Sequence, residues 1–171
     1  GSMSRHSDNI GMIAIFGLCG LISLSAFALE SDKNQDVAWS LDGDLKMENE
    51  GNRRIVTMNN NVKMTQGSLQ ITGDMAIFEY DLTTNALLKV TVNGSPARYQ
   101  QQLDEEGDLV QGDSETIHYS TNLETIIEFI GDANLRQPGT TTSCVAIKYF
   151  ADTELFETTG PCSGILSSQS N

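Results

Sequence analysis

The stretch at residues 55–74, IVTMNNNVKMTQGSLQITGD, constrains the fold of this chain more than any other. Apolar residues alternate with polar ones on both sides of Asn59, Asn60 and Asn61, and the alternation resumes after Gly67. A period of two is typical of β-strands with one buried face, whereas Asn and Gly are typical of tight turns. The stretch therefore predicts consecutive antiparallel strands joined by short turns, and it does not fit a helix.

The same pattern returns later in the chain, which indicates a repeated strand unit. A Gly-Asp pair precedes the apolar run at residues 77–80, and a second Gly-Asp pair precedes a similar run at residues 116–119. An antiparallel sheet with one apolar face must bury that face in a sandwich or in a curled roll. We expect an all-β fold of roughly a dozen short strands, with no helix except a turn near Asp32.

The N-terminal segment has the features of a secretory signal. Gly1 and Ser2 look like a remnant of cloning, and an apolar run at residues 10–24 follows Arg5 and leads to an A-x-A site that ends at Ala28. This arrangement predicts a signal peptide that is cleaved after Ala28. An uncleaved membrane anchor is the alternative, although the run is shorter than the roughly 20 residues that span a bilayer.

The predicted division of the chain follows from that cleavage. Residues 1–28 are expected to be the cloning remnant and signal peptide, residues 29–162 a single domain, and residues 163–171 a flexible tail, because the tail is polar and has no periodicity.

The charge balance argues against two classes of partner. The chain has 23 acidic and 10 basic residues, which gives a net charge of −13 at pH 7. Nucleic-acid binding requires a basic face, and electrostatic docking on an anionic membrane requires clustered Lys and Arg. We expect no nucleic-acid partner and no simple electrostatic attachment to a membrane.

No group of residues has the pattern of an active site. The sequence has no nucleophile motif and no glycine-rich phosphate loop before a helix. His118, next to Tyr119 in a predicted strand, is interpreted as a surface imidazole. The acidic run at residues 104–108 contains oxygen ligands that suit calcium, but its spacing differs from a calcium loop and is typical of a solvated hairpin tip. We predict neither catalysis nor a metal or other cofactor.

Two cysteines, Cys144 and Cys162, remain after removal of the predicted signal. In an oxidising compartment they could form a disulfide that closes the last hairpin, which contributes about 3 kcal/mol for a loop of this size. The alternative is a pair of buried thiols, with Cys144 as a small apolar residue inside a strand. A zinc site is not expected, because there is no C-x-x-C motif and His118 is the only histidine of the mature chain.

Four motifs follow one another in a characteristic order. They are the segment at residues 57–74, NGSPARYQ at residues 93–100, VQGDSETIHY at residues 110–119 and FIGDANLRQ at residues 129–137. Each motif is weak alone, but together they resemble the OstA-like family, the LptA-type proteins that form a periplasmic lipopolysaccharide bridge. The resemblance covers residues 37–160.

The resemblance implies a V-shaped antiparallel β-jellyroll in the periplasm. Its two sheets would hold the acyl chains of lipopolysaccharide, the lipid A part, in an apolar interior groove. Its unpaired first and last strands would add edge to edge to a second copy, to inner-membrane LptC or to the N-terminal jellyroll of outer-membrane LptD. Such contacts are β-augmentation, and self-association of this kind is head to tail.

The candidate groove residues come from two sources. The resemblance implies that Val37 and Trp39 of the first strand, Tyr99 and Tyr119 contact lipid, with Trp39 expected to narrow the groove mouth. Strand parity adds eight further inward positions, namely Val56, Met58, Val62, Met64, Leu69, Ile71, Phe78 and Leu135. Ordinary core packing is the alternative for each of them.

Two other functions fit the same sequence. One is a membrane-anchored, LptC-like jellyroll of the same transport pathway, in which the N-terminal apolar segment is kept as the anchor. The other is a structural β-sandwich module with a closed, dry core that binds other proteins.

Overall fold

The computed structural model describes residues 31–104 and 106–168, and these residues form one helical turn and ten β-strands. The turn covers residues 31–33. The strands are β1 (Val37–Ser40), β2 (Leu45–Glu50), β3 (Arg53–Gln66), β4 (Leu69–Asp81), β5 (Leu87–Gln102), β6 (Leu109–Ser120), β7 (Ile126–Gln137), β8 (Thr140–Phe150), β9 (Leu155–Thr159) and β10 (Ser163–Leu166). The all-β prediction is confirmed.

The strands belong to a single antiparallel sheet in the order β1-β3-β4-β5-β6-β7-β8-β10. The remaining two strands extend its ends, because β2 pairs with the first half of β3 and β9 pairs with the second half of β8. In the part of the chain that the structure describes, β1 and β2 therefore form one free edge and β9 and β10 form the other. The sheet is open, as predicted.

A line of register shifts crosses the sheet at the middle of its long strands. Every pair from β3/β4 to β7/β8 changes register once along this line, and the shifts lie between Asn59 and Val62, Thr72 and Met75, Asn93 and Ala97, Asp113 and Thr116, and Ile130 and Ala133. Bulges bend strands and increase their twist. Five aligned bulges fold the sheet into two parts that face each other.

We call these two parts arm A and arm B. Arm A comprises residues 45–59, 75–93, 116–130 and 146–159. Arm B comprises residues 37–40, 62–72, 97–104, 106–113, 133–143 and 163–166. Each long strand contributes one half to each arm.

The three asparagines of the central stretch form a bulge. Asn60 has φ 68° and Asn61 has φ 48°, and Asp132 has φ 48° at the equivalent place between β7 and β8. These are left-handed conformations, which Asn and Asp adopt more readily than other non-glycine residues. The prediction of a turn at the asparagines is wrong, since bulges and tight turns favour the same residue types and the chain continues as one strand, β3.

The two arms pack together through side chains that alternate along every strand. The ring centroids of Tyr99 in arm B and Phe129 in arm A are 5.8 Å apart, with an interplanar angle of 67°. Gly112 in arm B lies directly under the same Phe129 ring, and a Cβ atom there would overlap the ring. Edge-to-face contact between two aromatic rings adds about 0.5–1.5 kcal/mol beyond the area they bury. The apolar face of the sheet is therefore buried against itself.

The C-terminal segment contains a strand that the sequence analysis missed. Residues 163–166 form β10 and pair with residues 140–143 of β8, so the prediction of a flexible tail is wrong for them. All four residues of β10 are exposed, and a strand held by backbone pairing at an edge needs no alternating pattern. Residues 169–171 lie outside the described residues.

The predicted signal peptide, or anchor, at residues 1–28 also lies outside the described residues. Within residues 31–104 and 106–168, no helix is both long enough and apolar enough to cross a bilayer. The turn predicted near Asp32 is present at residues 31–33.

The packing of the arms predicts a large effect of Gly112→Ala. The added methyl group would overlap the buried Phe129 ring, and overpacking of this kind destabilises by about 1–3 kcal/mol. Urea unfolding of the variant and the parent protein measures this difference. Gly160→Ala is the matched control, because a Cβ atom there meets its nearest neighbour, the Cys162 backbone nitrogen, at an ordinary 3.5 Å. Equal losses of unfolding free energy in both variants would contradict the close approach of the arms at Gly112.

Candidate functional site

The candidate groove residues lie on the two inner faces of the folded sheet. Ten of the twelve are buried, with exposed fractions between 0 and 3%. Arm A contributes Val56, Met58, Phe78 and Tyr119, and arm B contributes Val62, Met64, Leu69, Ile71, Tyr99 and Leu135. The arms bring all ten into one apolar cluster, which is closed over most of its length.

The other two candidates lie at the N-terminal edge, on β1. Val37 is half-buried against the cluster, whereas Trp39 is 51% exposed although it pairs with the buried Met64. Trp39 therefore belongs to the inner face, but no further strand covers it within the described residues.

The interior opens at this same edge into a cleft of about 260 Å³. Its lining is mostly apolar, with Trp39 on arm B facing residues of β2, β3 and β4 on arm A, among them Leu45, Met47, Met58 and Phe78. Met58 and Phe78 are also members of the buried cluster, so the cleft continues into the interior. Arg54 and Asp81 bring charged groups into its lining.

A second cleft, of about 700 Å³, lies between the free ends of the two arms. Gln66 and Val37 of arm B line one side, and Tyr80, Leu87 and Thr121 line the other. This cleft is the mouth of the V, opposite the line of bulges. It is more polar than the N-terminal cleft, since backbone turns and amide side chains contribute to it.

A buried carboxylate, which sequence reasoning missed, holds the N-terminal segment at the mouth. Asp32 is only 6% exposed, and its oxygens accept hydrogen bonds from the Ser68 backbone N–H at 2.8 Å, the Ser68 Oγ at 2.6 Å and Gln101 Nε2 at 2.9 Å. We call residues 31–36 the N-terminal strap. Gln66 Nε2 donates to the carbonyl oxygens of Lys33 and Gln35 in the same strap, at 3.4 and 3.2 Å.

Three tyrosines, Tyr99, Tyr119 and Tyr149, are buried in the interior. Burial raises the pKa of Tyr99, Tyr119 and Tyr149, and the nearby Asp32 carboxylate raises the pKa of Tyr99 and Tyr119 further. The Tyr99 hydroxyl donates to Gln101 Oε1 at 2.6 Å, which links it to Asp32 through the same amide. The phenols are therefore neutral at physiological pH and add no charge to the interior.

The acidic loop and the histidine lie away from the interior. The Asp108 backbone N–H donates to Asp104 Oδ1 at 3.1 Å, and the Asp104 carboxylate raises the pKa of Asp108. His118 is half-buried on the outer face of arm A, with Nδ1 3.1 Å from Thr91 Oγ1. Among the described residues, no cluster of His, Cys, Asp and Glu could hold a metal ion. Glu105 lies outside them.

The two cysteines meet at the C-terminal edge. Cys144 of β8 and Cys162, just before β10, are joined as a disulfide, with their Cα atoms 4.3 Å apart. Cys144 is 6% exposed, and Cys162 is exposed. The bond closes a chain separation of 18 residues that contains β9.

Both free edges of the sheet carry exposed apolar side chains. Trp39 and Met47 lie on the N-terminal edge, and Leu155, Ile165 and Leu166 on the C-terminal edge, with exposed fractions from 51 to 81%. Unpaired strand edges with apolar side chains are suited to pairing with another chain. The two edges differ in sequence and shape.

Comparison with known proteins gives concordant matches. The model of a family described as LptA/(LptD N-terminal domain) LPS transport protein matches residues 44–155. The lipopolysaccharide export system protein LptA of Haemophilus influenzae is 34% identical over 120 residues, which is 68% of this chain and 66% of that protein. The match therefore spans just under two thirds of that relative.

A solved structure matches the fold. It is the crystal structure of LptH, the LptA homologous periplasmic component of the lipopolysaccharide transport device from Pseudomonas aeruginosa. The TM-score is 0.72 at 21% identity, and the match covers 81% of this chain and 99% of that chain. The V-shaped jellyroll predicted from sequence is confirmed.

The role of Asp32 predicts that Asp32→Ala detaches the strap. The change removes a buried acceptor of three hydrogen bonds, which destabilises the docked strap by about 2–3 kcal/mol. Because Trp39 is the only tryptophan and follows the strap directly, its fluorescence should shift to longer wavelength. Asp36→Ala, at an exposed position of the same strap, is the control and should leave the emission unchanged. An unchanged emission spectrum in Asp32→Ala would show that Asp32 does not hold the N-terminal strap in place.

The buried tyrosines predict a loss of stability in alkali. A pKa that is raised in the folded state gives stability that is fully present below the unfolded value, about 10, and is lost as pH rises above it. Tyr119→Phe should reduce the slope of unfolding free energy against pH by about 1.4 kcal/mol per unit above pH 10. Urea unfolding from pH 7 to pH 11 measures the slope. A variant with the parent's slope would show that Tyr119 ionises freely in the folded protein.

Proposed function

Because this chain belongs to the LptA/(LptD N-terminal domain) family of lipopolysaccharide transport proteins, we propose that it is a periplasmic lipopolysaccharide bridge. It carries lipopolysaccharide from the inner to the outer membrane by holding the acyl chains between its two arms. Neighbouring jellyrolls join edge to edge to form the path. The proposed role is transport and involves no catalysis.

One observation carries this proposal above the others. The apolar inner face continues without interruption from the buried cluster to the N-terminal cleft, where Trp39, Met58 and Phe78 meet. An interior that served only as a core would have no need of an apolar opening at a free edge. Acyl chains fit such a surface because its contacts are mostly apolar.

The energy of acyl-chain burial is sufficient for this role. Each buried methylene contributes about 0.8 kcal/mol, so half of a 12-carbon chain contributes on the order of 5 kcal/mol. The inner side chains already contact one another, with exposed fractions near zero, so the arms must move apart to admit a chain. The lipid then replaces contacts such as that between Tyr99 and Phe129 with similar apolar contacts. The exchange of one apolar surface for another keeps the cost of opening small.

The acidic character of the protein is compatible with an anionic lipid. The net charge of −13 repels lipid phosphates, but salt screens this repulsion beyond about 8 Å at physiological ionic strength. The phosphates remain in solvent outside the apolar interior. Holding the lipid by its tails therefore does not require a basic surface.

The free edges supply the proposed contacts with other proteins. The N-terminal edge of β1 and β2 and the C-terminal edge of β9 and β10 are different, so pairing of one with the other is head to tail and builds an open chain. The proposed partners are a second copy, LptC at the inner membrane and the N-terminal jellyroll of LptD at the outer membrane. Exposed apolar side chains such as Met47 and Leu155 become covered in such contacts.

A structural β-sandwich module is the second candidate, and the closed packing of most of the interior favours it. A membrane-anchored, LptC-like protein would differ only at the N-terminus, in residues that the structure does not describe. N-terminal sequencing of the protein recovered from the periplasm separates that form from the cleaved one.

Photocrosslinking to lipopolysaccharide tests the transport proposal. A photoreactive phenylalanine analogue at Trp39, in the cleft, or at Tyr119, deep in the interior, should form an adduct with lipopolysaccharide. The matched control is the same analogue at Ala38, which neighbours Trp39 on β1 but is exposed on the opposite face. Adducts at Trp39 and Tyr119 but not at Ala38 are expected. If neither inner position of the folded protein forms an adduct, the result would contradict lipid transport and favour the structural module.

A further inference from the structure

At each side of the sheet, the chain crosses from one arm to the other at a corner. The N-terminal corner, at residues 41–44, is held by hydrogen bonds to the bulge of β3: the Asp42 backbone N–H donates to the Asn60 carbonyl at 2.8 Å, and Asn61 Nδ2 donates to Asp42 Oδ2 at 2.8 Å. The C-terminal corner, at residues 160–162, contains the disulfide between Cys144 and Cys162. The two corners are thus fixed by different chemistry, polar at one and covalent at the other.

The two strands beside the C-terminal corner are anchored to different degrees. In β9, Phe156 is half-buried and packs against the apolar cluster. In β10, every residue is exposed, with Ile165 66% and Leu166 81% exposed. A further hydrogen bond from the Ser167 backbone N–H to the Gly139 carbonyl, at 2.8 Å, follows the strand. Short strand pairings that bury no apolar surface are marginal in water.

We propose that the Cys144–Cys162 disulfide is what keeps β10 on the sheet as part of a docking edge for β1 and β2 of a second copy, and that its reduction releases β10 and removes half of that docking edge. The docking part rests on the proposed edge-to-edge function. The release of β10 does not depend on it.

The disulfide is accessible to a reductant. It borders a surface cleft of about 540 Å³ lined also by Asp132, Val145 and Pro161. A dithiol attacks the disulfide, a mixed disulfide forms, and the second thiol of the reductant then displaces the protein sulfur. Two electrons and two protons pass to the protein, which gains two thiols, and the reductant becomes a disulfide.

Release of β10 would change the shape of the C-terminal edge. In the bonded form, arm A ends in β9 and arm B ends in β10, so both arms are extended by one short strand beyond β8. After release, arm A still ends in β9 whereas arm B ends in β8. The two arms then differ by one strand spacing, about 4.8 Å. In a docking copy, β1 on arm B and β2 on arm A both pair with β3, so they form an even edge. That edge matches the bonded form, whereas after release a pairing of β1 with β8 would place β2 where β9 lies.

Hydrogen exchange of the oxidised and reduced full-length protein tests the release of β10. Reduction should speed exchange at residues 163–166 and 140–143 by about tenfold or more, because the covalent closure of the loop is lost. Residues 146–150, which pair with β9, are the internal control and should keep their protection. The double variant Cys144→Ala, Cys162→Ala should behave as the reduced protein does.

Two hydrogen-exchange results would contradict the proposed release of β10 on reduction. Equal protection of residues 163–166 in both redox states would show that β10 stays paired without the disulfide. Equally faster exchange at residues 146–150 would show that the bond stabilises the whole sheet and not β10 in particular.

Photocrosslinking between copies tests the docking edge. A photoreactive residue at Ile165 of β10 should crosslink to β1 of a second copy in the oxidised protein and lose this crosslink on reduction. Crosslinks of equal yield in both redox states would overturn the docking edge. If sedimentation shows no self-association in either state, the edge-to-edge part of the proposed function is wrong and the docking edge with it, while the exchange data still decide the release of β10.

Discussion

The line of five aligned bulges is the constraint on which the rest of this structure depends. A flat sheet of ten strands with one apolar face would leave that face in water, and β5 alone is 16 residues long. Bulges at the middle of the long strands let the sheet fold so that its apolar face meets itself. The contact of Phe129 with Tyr99 and Gly112 across the fold exists because each strand bends at the same level. Position along a strand therefore decides which arm a residue joins.

Folding a sheet on itself, without joining its ends, has a cost and an advantage. The cost is two free edges, where β1, β2, β9 and β10 are short and carry exposed apolar side chains. The advantage is that the arms are joined only along the line of bulges. This arrangement lets them separate at the mouth while every backbone pairing of the long strands is kept. The proposed lipid-binding role requires that freedom, and the proposed end-to-end path requires free edges.

Much of the inner face could be predicted from the sequence, because period-two alternation reports which side of a strand a residue occupies. Val56, Met58, Phe78 and Leu135 are buried as their parity requires. Parity says nothing about how far a side chain lies from an edge, and for that reason the exposure of Trp39 could not be predicted. The antiparallel pairing of consecutive long strands followed from the short turns between them.

Three features were beyond such reasoning. Asn59, Asn60 and Asn61 suit a turn and a bulge equally, since both need residues that tolerate left-handed backbone conformations. The strand β10 buries nothing, so it leaves no alternating pattern to detect. Asp32 is buried through contacts with Ser68 and Gln101, far away in the chain, and no local pattern marks a carboxylate that will find such partners. In each case the missing information lies in the tertiary structure.

Lipid transport as proposed requires the arms to open at the line of bulges, and a distance measured across that line detects the opening. Spin labels at Lys89 and Gln100 would lie on the outer faces at the two ends of β5, on opposite sides of its bulge. Pulsed electron paramagnetic resonance then measures the label separation with and without lipopolysaccharide. The separation should increase when lipopolysaccharide binds, because the angle between the arms widens. An unchanged distance distribution in protein saturated with lipopolysaccharide would contradict the proposed opening of the arms.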